Sequence, residues 1–189
     1  MKIVSDPEEV FRHLKYNHFH PDLNRFREAH HQQQTLTQVM ETEQAFMALA
    51  IVDSQIIGYT IILSPEEEER WIKLDFLKVL GVIEVAPTFR NRSIAKKLLH
   101  SIFTQQELEH YIIISLEYCW HWDLKLTNGD PYLYRNMLRK VLESARFVEY
   151  KTNDPDIKAS EVNFLMARIG KAITSEQVSQ FIRLAKYNK

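Results

Sequence analysis

The chain has 189 residues, 45% of them hydrophobic, which is enough for one sizeable core and short for two domains. Its 24 Lys and Arg stand against 25 Asp and Glu, so no overall field draws it to nucleic-acid backbones or anionic lipid, and neither partner is expected. The lone Cys119 cannot close an internal disulfide, and Asp6, Glu8 and Glu9 interrupt the N-terminal residues before any secretory apolar region forms, so a cytoplasmic protein is expected.

The first 44 residues read as a helical N-terminal part. Apolar positions recur at helical spacing at Val10, Phe11 and Leu14, then at Leu36, Val39 and Met40, with a break near Pro21. Residues 45–52 and 56–63 are β-branched and aromatic runs joined by Asp53-Ser54-Gln55, the pattern of a hairpin. Residues 66–80 start acidic and space Trp71, Leu74 and Leu77 like a helix or an irregular excursion. A strand over 82–86 ends at Pro87, and Ile94, Ala95, Leu98, Leu99 and Ile102 mark one face of a helix. Residues 111–117 form a continuous β-branched run, suited to a strand buried on both faces.

After a polar-aromatic loop come a helix over about 132–144, strands over 147–151 and 163–169, and a last helix whose Thr174 and Gln177 make a capping box. The expected fold class is α/β, a mixed central sheet with flanking helices in a single domain. Within it, residues 45–117 are expected to form the hairpin and central core and residues 118–189 the C-terminal part.

The stretch from Ile83 to Ala95 carries chemistry. A buried strand runs into a basic turn that opens a helix, and the first amides of a helix have no intrahelical acceptor, so they can cradle an anion. Arg90 and Arg92 supply charge, and the small residues Ser93 and Ala95 let phosphate approach the backbone.

A strand ending in Val-x-Pro, then Arg-x-x-small-x-small and a Leu-rich helix, resembles the acetyl-CoA motif of GCN5-related N-acetyltransferases; the upstream hairpin with Gly58 matches too. Ser93 and Ala95 stand where that superfamily usually has glycine and glycine or alanine. Four further runs extend the likeness: Glu69-Arg70-Trp71, Leu80 to Pro87, Glu117 to Lys125 and Leu165 to Lys171. Together with Phe19-His20-Pro21-Asp22-Leu23 and Phe26-Arg27, they resemble the acetoin-utilization acetyltransferases over nearly the whole chain. The resemblance implies acetyl-CoA as co-substrate, held by Val85, Ala86, Arg90, Asn91, Arg92, Ser93, Ile94, Ala95 and Lys96. It also implies acetylation, and inhibition, of a lysine in AMP-forming acetyl-CoA synthetase.

Acetyl transfer needs a neutral amine, and a lysine with pKa of about 10.4 is mostly protonated at neutral pH, so a carboxylate base is useful. Glu84 and Glu117 are the candidates, both in strands otherwise rich in Ile and Val, where a lone carboxylate is costly unless paired. Ribosomal-protein N-terminal acetyltransferases of the superfamily carry a similar Leu-Glu and use it as base, which points to Glu117. The superfamily's acid tyrosine corresponds to Leu142, leaving Tyr134 or Tyr118 as substitutes. His121 is a candidate proton relay or a structural partner of Asp123, and Tyr118, Trp120, Trp122 and Asp123 form a candidate acceptor platform after a strand's carboxyl end. His13, His18, His20, His30 and His31 lack zinc spacing and cysteine partners, so no metal is expected. A small-molecule amine acetyltransferase and a non-catalytic acetyl-CoA-binding regulator stay open as alternatives.

Overall fold

The computed structural model describes residues 1–42 and 45–187. The end of the expected N-terminal helical part, residues 43 and 44, and the last two residues of the chain lie outside the described residues. The chain divides into two compact units, Met1–Ser64 with Leu80–Gln106, and Pro65–Val79 with Glu107–Lys189. Strand β5 (Leu77–Val85) contributes residues to both.

The first unit holds β1 (Lys2–Val4), α1 (Pro7–Tyr16), β2 (His18–Phe19), α2 (Ala29–Thr42), β3 (Phe46–Val52), β4 (Gln55–Leu63) and α3 (Ile94–Ile102). Asp6 starts α1 by accepting from the Glu9 amide, and Pro7 sits where a helix needs no N–H. The β3–β4 hairpin turns through Asp53 and Ser54, whose φ values of 47° and 63° match the twist of a two-residue hairpin turn. β1 adds antiparallel to β3, and β2 lies parallel beside β4. The apolar faces of α1 and α2 (Val10, Leu14, Leu36) meet Met47, Leu49, Ile56, Tyr59 and Ile61, while Leu98, Leu99 and Ile102 bury the inner face of α3.

The second unit holds β6 (Ile112–Glu117), α4 (Pro131–Glu143), β7 (Val148–Tyr150), α5 (Pro155–Lys158), β8 (Phe164–Ile169) and α6 (Ser175–Lys186). Here β6 runs parallel to the Leu77–Val79 part of β5 and antiparallel to β8, which carries β7 on its other side. Trp71, Phe76, Ile112, Ile114, Leu165 and Phe181 form its core. Glu109, just before β6, accepts from the buried Arg168 guanidinium at 2.5 Å and from the Lys171 amide at 2.8 Å. Charges this deep persist only when paired.

The mixed sheet with flanking helices is the expected architecture. The segment 66–80 differs from expectation: it holds a 3-10 turn at Arg70–Lys73, and its end from Leu77 already belongs to β5. Among the described residues no helix is long and apolar enough to cross a membrane.

Candidate active site

The turn after β5 is built by the main chain. The Ala86 amide donates to the Ile57 carbonyl at 2.9 Å, a 3-10 turn spans Pro87–Phe89, and the Arg90 side chain reaches back through Nε to the Val85 carbonyl at 3.0 Å. Asn91 and Ser93 then take φ values of 62° and 57°. These left-handed positions cost a non-glycine residue about 1–2 kcal/mol each.

Ser93 begins α3 without a side-chain cap, and the first backbone bond of the helix runs from Lys97 N to Ser93 O. The amides of Ile94, Ala95 and Lys96 therefore have no intrahelical acceptor, and the helix dipole adds partial positive charge where they emerge. Asn91, Arg92 and Ser93 are exposed beside them, with the Arg92 guanidinium over the Phe89 ring at 5.4 Å. Gly58 allows the close approach of β4 behind this turn: a Cβ there would lie 2.9 Å from the Glu84 carbonyl oxygen and 3.3 Å from Val85 Cγ2.

Glu84, also in the first unit, is 6% exposed. Its Oε1 accepts the Arg25 amide at 3.1 Å and its Oε2 accepts the Tyr59 hydroxyl at 2.9 Å. That hydroxyl accepts in turn from Gln32 Nε2 at 3.0 Å. Burial pushes the Glu84 carboxyl above the ordinary carboxylate range, against the opposing pull of the two hydrogen bonds and the charges of Arg90 and Arg25. Burial, then the Glu84 charge, pushes the Tyr59 phenol far up as well. Both oxygens of Glu84 hold protein groups together.

Glu117 ends β6 in the second unit and is half-buried. Ser115, two residues back on the same strand face, donates to its Oε1 at 2.5 Å. Burial raises its pKa, partly offset by Ser115 and by the Trp122 indole, which faces the carboxylate without the distance and angle of a formed hydrogen bond. Trp122 is buried and stacks on Tyr134 of α4 at 5.1 Å and 17°, so the structure brings Glu117, Trp122 and Tyr134 together.

Tyr118 and Trp120 stack at 4.9 Å and 8°, and the His121 ring meets both edge-on at 5.9 and 6.0 Å. Trp120 is 52% exposed. The platform is tied down by Asn163, which accepts the Cys119 amide at 2.8 Å and donates to the Asp156 carbonyl at 2.7 Å. Asp123 is half-buried and opens the next 3-10 turn, Leu124–Thr127. Burial, then the negative charges of Asp154, Asp156 and Glu69, raises the Tyr118 phenol above its ordinary range.

Ser115 was legible by strand alternation with Glu117. Tyr59, Gln32 and the Arg25 amide, which surround Glu84, belong to three separate segments and carry no local signal in the sequence.

Comparison with known proteins follows the same lines. No family model matches the chain. The acetoin utilization protein AcuA of Bacillus licheniformis is 38% identical over 173 residues, 90% of this chain and 82% of that one. The crystal structure of an acetoin utilization protein from Exiguobacterium sibiricum superposes with TM-score 0.88 at 35% identity, covering 93% of this chain and 84% of that one. A GNAT superfamily phosphinothricin acetyltransferase from Sinorhizobium meliloti, solved with acetyl-CoA, shares the fold at TM-score 0.55 and 11% identity, over 88% of this chain and 86% of that one.

Proposed function

Because the chain belongs to the acetoin utilization protein AcuA family, N-acetyltransferases of the GCN5-related (GNAT) superfamily, we propose that it transfers acetyl from acetyl-CoA to a lysine of AMP-forming acetyl-CoA synthetase in the cytoplasm, lowering that enzyme's activity. The observation that carries the donor half of this reading is the turn from Asn91 to Lys96, where two left-handed residues precede three helix amides without intrahelical acceptors. Acetyl-CoA brings the thioester. The diphosphate is held by these amides with Arg90 and Arg92 nearby.

The thioester carbonyl takes its hydrogen bond from the main chain at Val85, since the Ala86 N–H is given to Ile57. The acceptor lysine loses its ammonium proton to Glu117, directly or through one water. Bringing a lysine to its neutral form at neutral pH costs about 4–5 kcal/mol, and a carboxylate with a raised pKa is a better match for that proton than an ordinary one. The neutral amine attacks the carbonyl carbon, the tetrahedral intermediate collapses with cleavage of the C–S bond, the departing thiolate takes a proton from Tyr134, and the proton that the new amide nitrogen sheds returns through water to the Tyr134 phenolate. Glu84 is assigned a holding role, because both of its oxygens are engaged by protein donors. The Tyr118–Trp120 stack, with Trp120 exposed, receives the acceptor segment together with Asp123, and His121 braces it; Trp122, expected on that surface, is buried against Tyr134 and supports it from beneath.

The test is incubation with acetyl-CoA and purified acetyl-CoA synthetase, followed by peptide mass spectrometry and assay of the synthetase. Acetylation at one lysine is expected, with kcat about 100-fold lower in Glu117→Gln. Transfer to small amines with the synthetase untouched, or tight association without transfer, would overturn the proposal.

A further inference from the structure

The start of α2 gathers three metal-ligating side chains. Glu28, His30 and His31 offer ligand atoms that all lie within 4.8 Å of one another. His30 Nδ1 and His31 Nδ1 each stand 3.7 Å from the same oxygen, Glu28 Oε2. Neighbouring residues on a helix do not ordinarily face each other, yet these two rings lie 3.8 Å apart between centroids.

Apolar burial does not explain the grouping, because all three side chains are exposed. Direct hydrogen bonding does not explain it either, since 3.7 Å is too long for an N–H to a carboxylate oxygen, and the two contacts act as ion pairs to Glu28 only while the imidazoles are protonated. The two imidazole–carboxylate distances of 3.7 Å lie close to the roughly 3.3–3.6 Å that separates the ligands of a tetrahedral ion with bonds of about 2.0–2.2 Å, and small rotations of these exposed side chains close the set. An adjoining surface hollow lined by His18, Glu28 and His30 leaves room for a fourth ligand or water.

We infer that Glu28, His30 and His31 form an open three-ligand site for a divalent transition-metal ion of the zinc type. Two imidazoles and one carboxylate suit zinc, with the remaining position open to solvent. One turn along the same helix, Gln32 holds the Tyr59 hydroxyl, which holds Glu84. Upstream, the Arg25 amide binds the other oxygen of Glu84. An ion that fixes residues 28–31 therefore stiffens the segment between these two attachments, independently of which acceptor the enzyme uses.

The experiment uses the full chain without an affinity tag, freed of metal by chelation and titrated with Zn2+ alone by calorimetry, with Co2+ absorption as a geometric readout. One ion per chain is expected, with d–d bands of a low-coordinate site. The double variant His30→Ala/His31→Ala should weaken binding at least about tenfold, while His110→Ala leaves it unchanged. Circular dichroism and thermal unfolding in the absence of metal verify that each variant keeps its fold. Absence of stoichiometric binding, or binding that survives His30→Ala/His31→Ala, overturns the assignment.

Discussion

Replacing Tyr59 by Phe removes one oxygen atom from the middle of a buried chain of three polar groups. The ring keeps its place against Phe19, at 5.3 Å between centroids, so no large cavity opens. What is lost is the 2.9 Å donation to Glu84 Oε2 and the 3.0 Å acceptance from Gln32 Nε2. A hydrogen bond to a charged group contributes about 1.5–3 kcal/mol, and stranding a buried amide donor costs about 1–3 kcal/mol more. Gln32 Oε1 already lacks a partner. Some of the loss is relieved if Glu84 takes up a proton, so the expected destabilisation at neutral pH is about 2–4 kcal/mol.

Urea unfolding of the parent, Tyr59→Phe and Glu84→Gln over pH 4 to 8 measures this and adds a sign. The Glu84 pKa is raised in the folded chain, so the native state holds its proton more tightly than the unfolded state. Its contribution is fully present below the ordinary carboxylate pKa and fades as pH rises through the raised folded value. Tyr59→Phe removes a bond that favours the charged form, which moves the end of that window upward. Glu84→Gln abolishes the window. A Tyr59→Phe chain with parental stability and an unchanged pH slope would refute the account of Glu84 as a buried, hydrogen-bonded clasp.

Three further expectations concern the site and its supports. In acetyl-transfer assays, Ser115→Ala removes a bond that favours the Glu117 carboxylate, so the acid limb of kcat should move to higher pH; an unmoved limb argues against Glu117 as base. Gly58→Ala places a methyl group 2.9 Å from the Glu84 carbonyl and should cost about 1–3 kcal/mol in urea unfolding, with a higher KM for acetyl-CoA. Thr174→Ala breaks a capping box and should cost about 1 kcal/mol, whereas Ser93→Ala, at a helix start with no side-chain cap, should cost less than about 0.5 kcal/mol by the same unfolding measurement.

The parts legible from sequence were those whose signal is local. The hairpin, the capping box of α6 and the strand-turn-helix at Arg90 each depend on residues within a few positions of one another. The first half of β5 escaped because Leu77, Lys78, Val79 and Leu80 fit either period over so short a run. Lys78 is buried in that strand, 5.2 Å from the Tyr111 ring. The three-residue β1 exists because it pairs with β3, a partner more than forty residues away. Alternation flagged Glu84 as a costly buried carboxylate, but its partners come from residues 25, 32 and 59. The convergence of His30 and His31 depends on side-chain orientations that a spacing rule for zinc does not capture.

The unequal placement of the three tryptophans gives the enzyme its own optical reporter. Trp71 is 1% exposed and Trp122 7%, while Trp120 is 52% exposed on the Tyr118 stack. Emission from the first two should be blue-shifted and shielded from acrylamide, and the red-shifted, quenchable share should come from Trp120. On the proposed acceptor role of the Tyr118–Trp120 stack, arrival of an acceptor segment is expected to lower the quenchable fraction without a label.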